Sequence, residues 1–143
     1  ALLRDYNMAL DACAKARDVK RALELFAKIE SEGGGKRHPD IYSWASLVNA
    51  LCRTGRLDDA VQLLGVMRAR GTPPNVIVYN TLLNGCVEPR RVKLSEELFV
   101  EMRAQGLKPD EYTLIARLRV AALGDSPQDL TNEWVAMVDA VLG

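Results

Sequence analysis

Apolar positions recur along this chain with a helical period, and the pattern they make is itself repeated. Tyr6, Ala9, Leu10 and Cys13 fall at i, i+3, i+4 and i+7; so do Trp44, Leu47, Val48 and Leu51, and again Tyr79, Leu82, Leu83 and Cys86. This spacing lays one apolar stripe along each of three amphipathic helices. A second set follows each first one: Ala22, Leu25, Phe26 and Ile29; Ala60, Leu63, Leu64 and Met67; Ser95, Leu98, Phe99 and Met102. Both sets advance by 38 and then by 35 residues. Each segment closes on a glycine and a proline pair: Gly33 with Pro39-Asp40, Gly71 with Pro74-Asn75, Gly106 with Pro109-Asp110. Glycine ends the second helix and proline prevents its continuation.

The unit is therefore helix, turn, helix, cap, with boundaries at about residues 3–40, 41–75 and 76–110; Gly33-Gly34-Gly35-Lys36-Arg37 lengthens the first closing loop. One helix pair cannot bury both of its stripes, so the pattern predicts an all-α fold. The expected architecture is an alpha-alpha superhelix, a solenoid of stacked antiparallel helix pairs with seven or eight helices and no strand support. Leu25, Leu63 and Leu98 occupy equivalent core positions in this scheme. Residues 111–143 diverge into a terminal pair. A helix from about Glu111 to Ala122 is followed by one opening at Ser126 as N-cap, with Pro127 and Asp129 in its first turn. Leu130, Trp134, Met137, Val138 and Val141 form its stripe.

Composition narrows the reading. The chain has 143 residues, 48% apolar and 27% charged, which suits one soluble globular domain. Nothing approaches the ~20 apolar residues that span a bilayer, and Arg4 and Asp5 interrupt any signal-like start. No membrane partner is expected. Three cysteines form neither a disulfide framework nor a four-ligand zinc site, and a reducing compartment follows. Cys13 and Cys86 share a slot and Cys52 lies one place on, as buried spacers would. The single histidine, His38, has no partner pair; Asp58 and Asp59 point about 100° apart on a helix. The Gly33–Lys36 run follows a helix where a phosphate loop follows a strand. No catalytic constellation, metal site or cofactor is expected.

Nineteen basic residues balance nineteen acidic ones, but unevenly. Residues 1–110 carry 17 basic against 14 acidic, and 111–143 carry 2 against 5. Basic side chains gather at one phase of the repeat, at the turn between its helices: Lys15, Arg17, Lys20 and Arg21; Arg53 and Arg56; Arg90, Arg91 and Lys93. Stacking aligns such a phase into a stripe suited to phosphates. Lys15 and Arg53 also close first helices, where the helix dipole favours a cation without any ligand, and Glu88 takes that slot in the third repeat.

With Tyr-Asn, Glu-Leu-Phe and Gly-x-x-Pro-Asp at these separations, VIVYNTLLNGCVEPRRVKLSEELFVEMRAQGLKPD (residues 76–110) resembles the pentatricopeptide repeat family along its whole length. Residues 3–75 supply two more copies, and EYTLIARLRVAALG (111–124) resembles the start of a fourth. The tetratricopeptide repeat, a protein-binding array of period 34, has a Trp and Pro pattern that is absent here.

The resemblance implies sequence-directed binding of single-stranded RNA, one base per repeat, with no DNA expected. In the family the fifth and final residues of a repeat read the base edge and the second packs on the base face. Carried over, the readers are Asn7 with Asp40, Ala45 with Asn75, and Asn80 with Asp110. The packing residues are Arg4, Tyr42, Ile77 and Tyr112, each of the tyrosines reading equally well as a half-buried rim residue. Lys15 and Arg53 take the phosphate role. Asn offers a donor and an acceptor while ionised Asp only accepts, and the family preference for this pair is uracil. Ala45 cannot hydrogen-bond through its side chain, so the middle base is unassigned and the expected preference is U-N-U.

Three functions fit these residues. One is an RNA-binding segment of an organellar processing, stability or translation factor, placed in a mitochondrion or chloroplast by the resemblance. Another is a structural or protein-interaction solenoid within a larger ribonucleoprotein, favoured by Ala45, Glu88 and the zero net charge. The third is the targeting module of an enzyme whose catalytic domain lies elsewhere. The start within three residues of the first repeat and the lack of a transit peptide suggest a mature chain or a fragment of a longer array.

Overall fold

The structure, a computed structural model, describes residues 3–32 and 38–122 together with Val135 and Asp139. Among these residues all regular structure is helical: α1 (Leu3–Lys15), α2 (Val19–Glu32), α3 (Ile41–Arg53), α4 (Leu57–Ala69), α5 (Val76–Gly85), α6 (Val92–Ala104) and α7 (Glu111–Ala121). The expected second helix of the terminal pair, from Ser126 through Val141, and the Gly33–Arg37 loop lie outside the described residues.

The helices fall into two compact units, Ala1–Pro74 and Asn75–Gly143. In the first, α1 packs on its partner α2 and on α3, while α3 packs on its own partner α4 and on α2. The interior holds Leu10, Ala14, Ala22, Phe26 and Ile29 from the first pair and Trp44, Leu47, Val48, Leu51, Leu64 and Met67 from the second. Phe26 meets Trp44 edge to face with ring centroids 4.5 Å apart, a geometry that suits aromatic quadrupoles. The Arg70 guanidinium lies 5.7 Å from the Trp44 ring and pairs with Glu30. In the second unit α5 packs on α6 and on α7, and α6 on α7. Tyr79, Leu82, Leu83, Cys86, Leu98 and Met102 are buried there.

Most of the expected second-helix stripe is buried, including Ala22, Phe26 and Ile29 and then Ala60, Leu64 and Met67, but the expected equivalence of Leu25, Leu63 and Leu98 fails: Leu98 is buried while Leu25 and Leu63 are only half-buried. A volume argument at Leu63 therefore transfers to Leu64. Cys13 and Cys86 are buried and Cys52 is half-buried. Burial pushes the Cys86 thiol up to about 11, against smaller opposing pulls from Arg91 and Arg117, so it stays protonated at neutral pH and behaves as an apolar spacer. Arg117 of α7 is also buried: it donates to the Ser95 hydroxyl at 2.9 Å and lies 5.1 Å from the Phe99 ring. Burial lowers its pKa, opposed by the nearby Glu96.

The turn inside each pair repeats one device, a backbone bond reaching back over the last helical turn: Asp18 N–H to Cys13 O (2.9 Å), Arg56 N–H to Leu51 O (2.8 Å) and Arg91 N–H to Cys86 O (2.9 Å). This closure needs a left-handed residue just before the donor. Gly55 supplies it in the second repeat at φ +76°, whereas Arg17 (+59°) and Arg90 (+57°) supply it in the other two. An L-residue pays for that region and glycine does not, so Arg17→Gly should raise stability by ~0.5–1 kcal/mol, read as a higher denaturation midpoint. The opposite shift would show that the Arg17 side chain is held by contacts stronger than its backbone cost. α5 stops at Gly85, three residues short of the slot where α1 and α3 end, and Pro89, which has no N–H to offer the Gly85 carbonyl, disfavours its continuation.

Candidate functional site

Each first helix after α1 is preceded by a residue that follows a proline: Asp40 before α3, Asn75 before α5 and Asp110 before α7. These are N-caps in extended conformation whose side-chain oxygens accept the backbone N–H three residues on: Ser43 at 3.0 Å, Val78 at 3.1 Å and Thr113 at 3.0 Å. In two of the three the cap is reciprocal, because the Ser43 and Thr113 hydroxyls accept the N–H of Asp40 (3.2 Å) and Asp110 (3.1 Å).

Onto two of these caps the preceding first helix presents an asparagine. Asn7 of α1 donates through Nδ2 to Asp40 Oδ1 at 3.0 Å, and Asn80 of α5 donates to Asp110 Oδ1 at 2.9 Å. The pairs implied by the family resemblance are thus brought together twice, 33 and 30 residues apart in sequence, with the same atoms in contact. Asn80 is 8% exposed and Asn7 half-buried. Burial raises the Asp110 pKa, but hydrogen bonds from Thr113 and Asn80 and the Tyr112 N–H outweigh it and hold the carboxyl below its usual value. Asp110 is ionised at neutral pH and can only accept. The third predicted pair is not of this kind: Ala45 is half-buried on α3, Asn75 caps α5, and the two belong to different units.

Beside the caps, Tyr42 and Tyr112 are 62% and 70% exposed, with Ile77 at 49%. Neither tyrosine is half-buried; a large ring stands in solvent two residues beyond each Asp. Arg4 is exposed on α1. Lys15 closes α1, exposed and ion-paired with Asp11 at 2.9 Å, and Arg53 is exposed at the end of α3. An exposed i,i+4 pair like that of Lys15 is weak and opens readily for a better anion. Asp58 and Asp59 do not converge: Asp59 pairs with Arg56 at 3.0 Å. Among the described residues no group of three or more His, Cys, Asp or Glu gathers in metal-binding geometry, and no helix is long and apolar enough to cross a membrane.

Sequence reasoning missed the two hydroxyls, Ser43 and Thr113. The signal was present, since Pro-Asp-x-x-Ser/Thr is a capping-box spelling and appears in PDIYS and PDEYT.

Comparison with known proteins supplies the context. Family models described as a PPR repeat family match residues 39–88 and 74–116, and one described as a PPR repeat matches residues 5–34. A pentatricopeptide repeat-containing protein of Arabidopsis thaliana is 32% identical over 108 residues, 76% of this chain and 18% of that protein. Small ribosomal subunit protein mL103 of the same plant is 24% identical over 135 residues, 92% of this chain and 32% of that protein. Further relatives carry names marked chloroplastic or mitochondrial. The chain thus spans less than a third of the length of these relatives. The crystal structure of PPR10 in complex with an 18-nucleotide psaJ RNA element matches 94% of this chain and 20% of that one at a TM-score of 0.81 and 23% identity. That likeness places the fold among all-α helical-repeat solenoids.

Proposed function

The chain belongs to the pentatricopeptide repeat family, and from that premise we propose that it is a single-stranded RNA-binding repeat module of an organellar RNA processing, stability or translation factor. The observation that carries this reading is the duplicated Asn–Asp pair with an exposed tyrosine beside it. The hydrogen bonds that Asn7 and Ser43 make to Asp40, and that Asn80 and Thr113 make to Asp110, all fall on Oδ1. Oδ2 is then an acceptor for a ligand, and the second Nδ2 proton of Asn7 or Asn80 is a donor. A donor beside an acceptor complements the N3–H and an adjacent carbonyl of uracil. Cytosine would turn the lone pair of its N3 toward an anion. Tyr42 and Tyr112 would stack on base faces, an interaction tolerant of sequence. The chloroplastic and mitochondrial relatives support the organellar setting, and the PPR10 complex supports the choice of RNA.

Affinity follows from the number of contacts. Three stacked bases at ~1–3 kcal/mol each give a gross ~3–9 kcal/mol before the cost of association, so the isolated chain should bind short RNA only weakly. The test is a gel or anisotropy titration at low salt against oligonucleotides containing U-N-U or C-N-C. Weak binding that favours U-N-U is the expected result; nanomolar binding to any RNA under ~10 nucleotides would require a surface other than the one described.

A second reading is a structural solenoid within a ribosomal particle, favoured by the likeness to mL103 over 92% of the chain and by a net charge of zero. On that reading U-N-U and C-N-C oligonucleotides bind equally or not at all.

A further inference from the structure

The Asn–Asp pairs each contain a third member. Ser43 Oγ lies 2.5 Å from Asn7 Oδ1 and 3.0 Å from Asp40 Oδ1; Thr113 Oγ1 lies 2.5 Å from Asn80 Oδ1 and 3.0 Å from Asp110 Oδ1. A hydroxyl has one proton to give. Asp Oδ1 already accepts a backbone N–H and the Asn Nδ2, and the Asn carbonyl oxygen is the nearer acceptor, so the proton goes to asparagine. The hydroxyl's lone pairs are directed by the N–H of Asp40 or Asp110, which it accepts. The amide can then stand only one way round. Reversed, its carbonyl would face a carboxylate oxygen, and the hydroxyl would lose the acceptor that now takes its proton.

We propose that Ser43 and Thr113 are positioning residues for base choice, holding the Asn7 and Asn80 amides so that each shows a base the N–H donor rather than the carbonyl. The remaining repeat boundary, at Asn75, supports this independently. Where the paired position holds Ala45, with no amide to orient, the residue three beyond the cap is Val78, with no hydroxyl. Thr113 is fully buried and Ser43 likewise, so neither is available to touch RNA itself; they act through asparagine. A cap alone does not require the hydroxyl, because Asn75 caps α5 with valine at that place.

This inference rests on the base-reading function above, and its test separates the two. Thr113→Val keeps shape and branching but removes the hydroxyl; Thr113→Ser keeps it. Short RNAs differing only by U or C at the last read base are titrated into the 143-residue chain, with Asp110→Asn as the control for reading. Thr113→Val should lower the U-over-C preference about three- to ten-fold, the scale of one lost hydrogen bond, while Thr113→Ser stays within about two-fold of the parent. In the RNA-free protein the two Asn80 side-chain amide protons should be well separated in the nitrogen-correlated NMR spectrum and should draw together in Thr113→Val. If Asp110→Asn moves the preference and folded Thr113→Val does not, the positioning role is overturned. Should Asp110→Asn itself leave the preference unmoved, base reading fails, and the amide spectrum still decides whether threonine orients Asn80. Ser43→Ala with Ser43→Thr as rescue repeats the comparison at Asn7 if Thr113→Val does not fold.

Discussion

Trp44→Ala is expected to destabilise the Ala1–Pro74 unit by about 3–5 kcal/mol, the range for emptying a buried tryptophan site. Trp44 is 2% exposed and joins the two helix pairs of that unit through its edge-to-face contact with Phe26. A unit of this size at roughly 0.05–0.15 kcal/mol per residue has only ~4–11 kcal/mol in total, so the variant should lose a large part of its margin and unfold at a much lower urea concentration. Urea denaturation followed by far-ultraviolet circular dichroism measures the loss, with Trp44→Phe, which keeps a ring against Phe26, expected to cost less than half as much. A loss below about 1 kcal/mol would mean that the Phe26–Trp44 contact is not what holds the pairs together.

Asp110→Asn should change which base is preferred without unfolding the protein. Asn75 demonstrates in this same chain that asparagine caps a first helix, accepting the N–H three residues on at 3.1 Å. The substitution therefore keeps the Oδ1 role and replaces the second carboxylate oxygen with NH2, a donor in place of an acceptor. Cytosine N3 then becomes the better partner and uracil N3–H the worse one. A matched donor–acceptor pair is worth ~1–3 kcal/mol of discrimination, so the preference at the last read base should move toward cytosine by roughly 5- to 150-fold. The same change at Asp58, exposed on α4, should leave it alone. Equal effects at the two positions, or no effect at Asp110, would remove base reading and favour the structural solenoid. The stability profile should change too. The Asp110 pKa is lowered in the folded protein, so its contribution is present above the ordinary carboxylate value of about 3.9 and fades as pH falls through the folded value. Asn at 110 has no proton to take up, and that part of the acid sensitivity should vanish.

Much of this was legible from residue order. Three Gly–Pro–Asp/Asn closures and two interleaved apolar stripes fix where helices start and stop, because a proline and a left-handed glycine admit few alternatives. The family resemblance, and not the periodicity, paired Asn7 with Asp40 and Asn80 with Asp110, and the side chains of each pair do meet. Periodicity could not distinguish Leu25 and Leu63 from Phe26 and Leu64: adjacent apolar residues on one helix both satisfy the stripe, and only the neighbouring helix decides which is interior. The early stop of α5 was readable at Pro89. The hydroxyls at Ser43 and Thr113 carried a capping signal, but their second bond, to an asparagine more than thirty positions upstream, exists only after two helix pairs have stacked.

That the candidate reader at the end of each repeat is also the N-cap of the next helix restricts how such a protein can be retargeted. Residues that both start a helix and present a polar tip are few: Asp, Asn, Ser and Thr, with glycine as a silent member. A designer wishing to place lysine, glutamine or a larger side chain at 40, 75 or 110 gives up ~0.5–2 kcal/mol of helix initiation for each change, which is a large share of the few kcal/mol that hold such a unit together. The alphabet available for rewriting the target at that position is the alphabet of helix starts, and wider chemical variety has to come from the position occupied by Asn7, Ala45 and Asn80, which lies inside a helix and closes nothing.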